Sequence, residues 1–387
     1  MVTPEGCCQP MVDYDLLRDV NPTTEISRYY CGDPAVHLKL WSDKPRKGIR
    51  KLAAYCARSA WKLLHNVSVP DSRICGIKRL YRLLSSIIKS QRIDVLWITG
   101  PPFSYFNVTG RLKRQFDIPV VLDLRDPWVP VVLRYPGLRR CYRPIERHME
   151  KRAFGFSNRI ILNTEGAYQR YLGDYPELDK SKWVVITNGY DAGELEAVPA
   201  KRFDRTVLVH GGWTGQERTS CFLIEAMGRL HREGMLSPET FKYICFSGGA
   251  PNERMAVKKG GVEKMVEFMG SRPHNEVLAA IRGADALLLL VGKSHKRQIP
   301  GKLYEYLGVG RPIIMAGPLD CDAAQIVRKT RTGTVLDIDD VDGFAKQLRD
   351  LIGGKTAEFQ PDASAIAEYE AQSLSRKLAE VFEAVSC

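Results

Sequence analysis

The chain has 387 residues, 44% hydrophobic and 26% charged, with ten cysteines and a formal net charge of +12. That length exceeds what one hydrophobic core usually serves, so two compact domains are expected, and no stretch is poor enough in apolar residues to read as disordered. The cysteines include no C-x-x-C pair, and the adjacent Cys7 and Cys8 cannot easily bridge to each other, which argues against a zinc site or a disulfide framework and for reduced thiols in a cytoplasm.

The opening Met1-Val2-Thr3-Pro4-Glu5-Gly6 has no basic segment leading into an apolar run, so no signal peptide is expected there. The longest apolar runs, such as 284–291, fall far short of the ~20 residues of a membrane-spanning helix. Residues 39–92 hold fourteen Lys and Arg against two acids, Asp43 and Asp71, which matches the whole +12 excess. Within that stretch Ile49, Leu52, Ala53, Cys56, Ala60, Leu63 and Leu64 recur at helical spacing with Lys51, Arg58 and Lys62 between them. A basic amphipathic surface element follows, read either as a solvated helix face beside a core stripe or as a contact for an anionic membrane surface. No recognisable RNA- or DNA-binding module accompanies it, so nucleic acid is not an expected partner.

From residue 94 onward short apolar runs alternate with amphipathic segments. Strands are expected at 94–99, 119–124, 159–162 and 183–186, with helices between them, in the β-α-β rhythm of a doubly wound parallel sheet. The rhythm pauses at Asn188-Gly189, and a loose polar stretch through Pro199 and Lys201 places a domain boundary near Ala200. Strands resume at 206–210, 243–247, 266–269, 286–291 and 312–316, and 363–384 reads as one long amphipathic helix. The expected architecture is α/β, two Rossmann-like doubly wound domains, 1–200 and 201–387, facing a central cleft. The final helix is a candidate to return to the first domain. Such sheets bind ligands at the carboxyl ends of their strands, so the chemistry is sought in the loops that follow them.

Two of those loops stand out in the first half. Gly100-Pro101-Pro102-Phe103-Ser104 follows one strand, and Asp123-Leu124-Arg125-Asp126-Pro127-Trp128 ends the next. The second packs two carboxylates, a guanidinium and an indole into six residues, a set suited to sugar recognition, and equally to a local Arg-Asp pair that fixes the turn. In the second half Gln298-Ile299-Pro300-Gly301 precede a helical pattern, whose first turn would aim free N–H groups and the positive end of its dipole at a diphosphate. The dipole contributes only ~0.3 to 1 kcal/mol, so a fixed cation is also needed, and Lys302 and Arg218 are the candidates. Gly211, Gly212 and Gly301 would allow close backbone approach to phosphates. His210, Asn275 and Glu276 are weaker candidates.

These loops, together with Asn188-Gly189-Tyr190-Asp191, His210-Gly211-Gly212, Lys302-Leu303-Tyr304-Glu305-Tyr306-Leu307 and Gly310-Arg311-Pro312-Ile313, give residues 93–351 a resemblance to the retaining group 1 glycosyltransferases of family 4, particularly bacterial polysaccharide members. The resemblance implies a GT-B fold and a nucleotide-sugar donor held mainly by the second domain. It implies a saccharide or lipid-linked acceptor held by the first domain, and no metal or other cofactor, the nucleotide-sugar being a substrate. Glu305 matches the second acid of the Glu-x7-Glu motif, which accepts hydrogen bonds from ribose hydroxyls, but the position eight before it is Arg297.

The site expected on this basis has Asp126, Arg125 and Lys302 in catalysis. Gly211, Gly212, Arg218, Gly301, Lys302 and Glu305 would bind the donor, and Ser104, Asp123 and Trp128 would contact acceptor or sugar. Residues 1–4 resemble the end of the family's second strand and 24–30 its next one, so the innermost strand of the first sheet has no counterpart and the N-terminus looks shortened. The rival functions are a non-catalytic or truncated GT-B-fold binding protein and a sugar-nucleotide epimerase.

Overall fold

The computed structural model describes residues 1–5, 21–30, 54–57, 59, 68–129, 141–215, 217–355 and 359–386. The basic amphipathic stretch expected over 49–64 lies outside the described residues apart from 54–57 and 59. The chain divides into two compact units. The first comprises Met1–Asn163, Tyr168–Val185 and Glu380–Cys387, and the second Thr164–Ala167 and Ile186–Ala379.

In the first unit β1 (Val2–Glu5) and β2 (Ser27–Tyr30) form a parallel pair. A separate four-stranded parallel sheet runs in chain order through β3 (Leu96–Gly100), β4 (Val120–Leu124), β5 (Arg159–Leu162) and β6 (Trp183–Val185). Central β4 is buried at every position, as its unbroken Val-Val-Leu run requires of a strand covered on both faces. Helices α1 (Ile77–Ser90), α2 (Thr109–Phe116), α3 (Arg143–Phe156) and α4 (Glu165–Asp174) connect these strands, with α4 crossing the division between the units.

The second unit is a six-stranded parallel sheet. Its strands are β7 (Thr206–His210), β8 (Phe241–Cys245), β9 (Val266–Phe268), β10 (Ala286–Leu290), β11 (Ile313–Ala316) and β12 (Gly333–Leu336), in the spatial order β12-β11-β10-β7-β8-β9. Alternate residues feed opposite faces: Val207, Val209, Leu287 and Leu289 join one core, and Leu208, Ala286, Leu288 and Leu290 join the other. The order reverses between β7 and β10, which opens a crevice beyond their carboxyl ends. Helices α5 (Ala192–Ala197), α6 (Cys221–Arg232), α7 (Pro251–Gly260), α8 (His274–Gly283), α9 (Gly301–Val309), α10 (Asp322–Thr330) and α11 (Val341–Ile352) complete this unit.

Three expectations change. The division falls at Val185/Ile186 rather than near Ala200, because the polar stretch after Asn188 packs on the second unit: Leu195 and Val198 enter its core and Lys201 N–H bonds Ala279 O at 2.8 Å. The single helix expected over 363–384 is two, α12 (Ala363–Ala367) and α13 (Ala371–Ser386). The chain breaks there so that Tyr190 can exchange backbone hydrogen bonds with Tyr369 and Ala371, at 3.0 and 2.8 Å. β12 was not foreseen, since four residues starting at a glycine carry too short an apolar run. Among the described residues no helix is long and apolar enough to cross a membrane.

Candidate active site

In the first unit, the loop after β4 is built around a buried carboxylate. Asp123 is 2% exposed and accepts from Arg125 Nε at 2.7 Å; burial pushes its carboxyl above the usual range, against the opposing pull of Arg125. The Arg125 guanidinium is thereby turned back onto Asp123, while its backbone N–H bonds Gly100 O at 2.9 Å and ties the two loops together. Asp126 is half-buried at the apex.

Trp128 was expected to present a face to sugar, but it is fully buried. Its ring stacks on Phe103 at 5.3 Å with a 10° interplanar angle, and its indole N–H donates to Glu146 at 3.1 Å. Ser104 and Asp123 are corrected in the same way. Ser104 is fully buried, its N–H donating to Asp71 at 3.0 Å and its hydroxyl without a hydrogen-bond partner among the described residues. In this structure all three hold the loops in shape and offer no surface to an acceptor.

The anchor of that loop escaped the sequence reading. Glu150, on the buried face of α3, accepts from the Tyr171 hydroxyl at 2.8 Å, the Val129 N–H at 3.1 Å and the Tyr175 hydroxyl, and Tyr171 Oη in turn accepts from the Trp128 N–H at 2.8 Å. Only its position on the apolar stripe of α3 could have marked it. Burial raises the Glu150 carboxyl from 4.5 to about 7. A raised carboxyl contributes stability that is complete below pH 4.5 and is lost as pH rises to 7, by about 1.4 kcal/mol per unit, or about 3 kcal/mol in all. Glu150→Gln cannot ionise, so its denaturant midpoints at a series of pH values are expected to gain on those of the natural protein across that window; parallel curves would show that Glu150 stays charged throughout.

In the second unit, the residues singled out as donor-binding converge at the switch between β7 and β10. His210 ends β7 with its Nδ1 2.9 Å from Leu288 O, so that Nδ1–H donates and Nε2 is left as a buried acceptor without a hydrogen-bond partner among the described residues. Burial depresses it to about 4, so the ring is neutral near pH 7. The next residue, Gly211, donates its N–H to the Tyr306 hydroxyl at 2.9 Å, and that hydroxyl donates to the same Leu288 carbonyl at 3.3 Å. Helix α9 thus fixes the glycine loop through Tyr306 and places Lys302, one turn earlier, across it. A Cβ on Gly212 would lie 2.1 Å from Lys302 Cε, so only glycine lets the lysine lie there.

The first turn of α9 is preceded by Pro300, has no side-chain cap, and leaves Gly301 exposed. Beside it the Lys302 ammonium is held below its ordinary range, by burial first and by repulsion from Arg218, with Glu305 opposing. The Lys302 ammonium and the Arg218 guanidinium make no hydrogen bond or ion pair with any described residue, and Arg218 Nε is buried. Glu305, pushed up by burial against the pull of His274 and Lys302, also has no hydrogen-bond partner there. Two half-buried cations and an uncapped helix N-terminus have the chemistry to bind a dianion, and the adjacent carboxylate has the chemistry to accept from hydroxyls. Asn275 and Glu276 lie in the first turn of α8, where Glu276 faces Arg272 at 3.9 Å.

Another residue missed from the sequence holds this constellation. Glu253 is fully buried and accepts from Thr214 Oγ1 at 2.6 Å, Ser220 N–H at 2.8 Å, Ser220 Oγ at 2.7 Å and Ala250 N–H at 2.9 Å. It joins the loop after β7, the start of α6 and the loop after β8. Its place as the third residue of a helix, behind a proline, was the available signal.

Residues 204–353 match the family model described as glycosyl transferases group 1, and residues 55–194 match that of glycosyltransferase family 4. Among curated proteins none matches by sequence. Similar solved structures include a glycosyltransferase from Rickettsia africae, 12% identical with a TM-score of 0.59 over 99% of this chain and 97% of that one. An α,α-trehalose 6-phosphate synthase from Burkholderia multivorans is 9% identical, with a TM-score of 0.60 over 93% and 85%. The lipopolysaccharide outer core galactosyltransferase WaaB is 15% identical, with a TM-score of 0.55 over 81% and 80%. With a group 1 domain over residues 204–353, a family 4 domain over 55–194 and two parallel Rossmann-like sheets beneath them, the chain is a glycosyltransferase of the GT-B fold.

Proposed function

We propose that the enzyme transfers a sugar with retention of anomeric configuration from a nucleoside diphosphate sugar to a saccharide or lipid-linked acceptor, in the assembly of a polysaccharide or cell-envelope glycan at the cytoplasmic side of a membrane. The observation that carries the donor assignment is the pair Lys302 and Arg218, two half-buried cations that make no ion pair with any described residue, beside the glycine loop and the α9 N-terminus. The diphosphate serves as their counter-ion, Gly211, Gly212 and Gly301 give its oxygens backbone room, and Glu305 accepts from the ribose hydroxyls. As the bond from the anomeric carbon to the diphosphate breaks, the leaving oxygen receives the acceptor hydroxyl proton, and the acceptor oxygen bonds the anomeric carbon on the same face. Charge stabilisation and positioning supply the rate, so this reading requires no metal or cofactor.

On this reading Asp126, half-buried in the loop after β4, is the acceptor-side residue that receives a hydroxyl, with Arg125 holding the turn through Asp123. Peripheral membrane association is supported by the charge excess at 39–92 and by α1, whose Lys78, Arg82 and Lys89 are exposed while Leu80 and Leu84 are buried. Each engaged basic side chain near an anionic surface contributes about 1 kcal/mol.

A panel of UDP-, GDP- and ADP-sugars, followed by nucleotide release and by NMR of the product anomer, tests the assignment. Release of nucleoside diphosphate with a product of the donor's configuration is expected. An inverted product removes the retention claim, an epimerised sugar-nucleotide makes the protein an epimerase, and absence of both binding and release makes it a non-catalytic GT-B-fold protein.

A further inference from the structure

The first unit carries a second concentration of cations, on residues with no part in the reaction just described. Helices α2 and α3 pack closely where Gly110 meets Phe156, a Cβ on the glycine coming within 2.7 Å of the ring. Beside that contact lies a pocket of about 230 Å³, several times the ~30 Å³ share of one water in the liquid. Its floor is neutral, made of Phe106, Ala153 and Phe156, and Arg111, Arg114, His148 and Arg152 stand around it.

The guanidiniums are partly ordered in advance. Arg111 lies over the Tyr81 ring at 4.3 Å and Arg114 over the Phe156 ring at 5.1 Å, contacts that restrain each side chain and use none of its N–H donors. None of the four makes an ion pair or hydrogen bond with a described residue. The nearby acids are engaged elsewhere: Glu146 and Glu150 of α3 are buried against Trp128 and the tyrosines, and Asp117, after α2, is 3.9 Å from Lys113. Three planar guanidinium forks on two helices suit a ligand with at least three acceptor oxygens and more than one negative charge. A carboxylate supplies two oxygens and one charge, whereas a phosphate monoester supplies three and nearly two.

We propose that the α2–α3 pocket is a binding site for a phosphate monoester group, carried either by a free phosphate ester or by a phosphomonoester lipid headgroup. The test follows the His148 ring resonance of the full-length protein during titration with inorganic phosphate, which reads this pocket and not the donor residues. A second arm compares co-sedimentation with vesicles containing phosphatidic acid against vesicles of equal charge made with phosphatidylglycerol.

Arg152→Gln removes a side chain that makes no ring contact among the described residues, so the fold is expected to stay intact; Arg111→Gln with Arg114→Gln is the second variant. Lys258→Gln with Lys259→Gln, on exposed α7 positions in the second unit, controls for diffuse charge. A saturable shift at His148, weakened about tenfold by Arg152→Gln and unaffected in the control, supports a free-phosphate site. No shift, but a preference for phosphatidic acid that Arg152→Gln removes, supports the site with a lipid source. Absence of both responses, or equal weakening by the Lys258/Lys259 control, overturns the proposal.

Discussion

Lys302→Ala is expected to lower kcat/KM for sugar transfer by about 10²–10³-fold, the cost of removing one donor aimed at developing charge, while leaving the protein at least as stable. The second half of that expectation separates a functional lysine from a structural one. The Lys302 ammonium is desolvated and has no ion pair among the described residues, and the pull of Glu305 on it is offset by repulsion from Arg218, so its removal relieves a buried charge and breaks no hydrogen bond. The pH dependence has a defined sign. Lys302 in the free protein loses its proton below the ordinary 10.5, and a bound diphosphate raises that value. Donor affinity therefore falls as pH rises through the free-protein value, with proton uptake on binding in the same range. Calorimetry in buffers of different ionisation enthalpy measures that uptake. Unchanged turnover and nucleotide affinity in Lys302→Ala would remove the lysine from the mechanism and, with it, the observation on which the donor assignment rests.

Glu253→Ala is expected to destabilise the second unit by about 3–5 kcal/mol, a large fraction of an ordinary domain's stability. Two backbone N–H groups, of Ser220 and Ala250, lose their buried acceptor, at about 1–3 kcal/mol each, and the vacated volume adds to this. Glu253→Gln keeps the volume and one accepting oxygen and so has a smaller effect, confined to the end where its NH2 group must face an N–H donor. The milder variant also reports on function. If Glu253 sets the loop carrying Arg218, Glu253→Gln raises KM for the donor at a temperature where it is fully folded, with kcat little changed. Chemical denaturation with steady-state kinetics on both variants checks this; an alanine variant within 1 kcal/mol of the natural protein would mean that the four hydrogen bonds do not hold the loops.

The sequence by itself determined the fold class and the local setting of the residues proposed to bind the donor. Parallel strands buried on both faces have to be continuous apolar runs, so β4, β7 and β10 were legible in Val-Val-Leu, Val-Leu-Val and Leu-Leu-Leu-Leu. The helix start at Gly301 and the pair Gly211-Gly212 were legible because glycine and a proline-preceded first turn are local signals of close backbone approach. Lys302 was legible for the same reason, since its position relative to the helix start is set within one turn.

The tertiary structure alone decided which side chains face solvent and which face protein, because burial depends on partners far away in the chain. Asp123, Ser104 and Trp128 have the composition of a sugar site, but Arg125 pairs with Asp123, Phe103 and Glu146 take up Trp128, and Ser104 is buried with its backbone N–H on Asp71. Glu150 and Glu253 are single carboxylates in unremarkable helical stretches, and they become anchors only where residues 21 to 39 positions away bring hydroxyls and N–H groups to them. The strand order that puts β7 beside β10, and so sets His210-Gly211-Gly212 next to the turn of Lys302, is likewise a property of packing: any order of six similar apolar strands has the same local pattern, and only the mutual fit of the helices that cover them selects one.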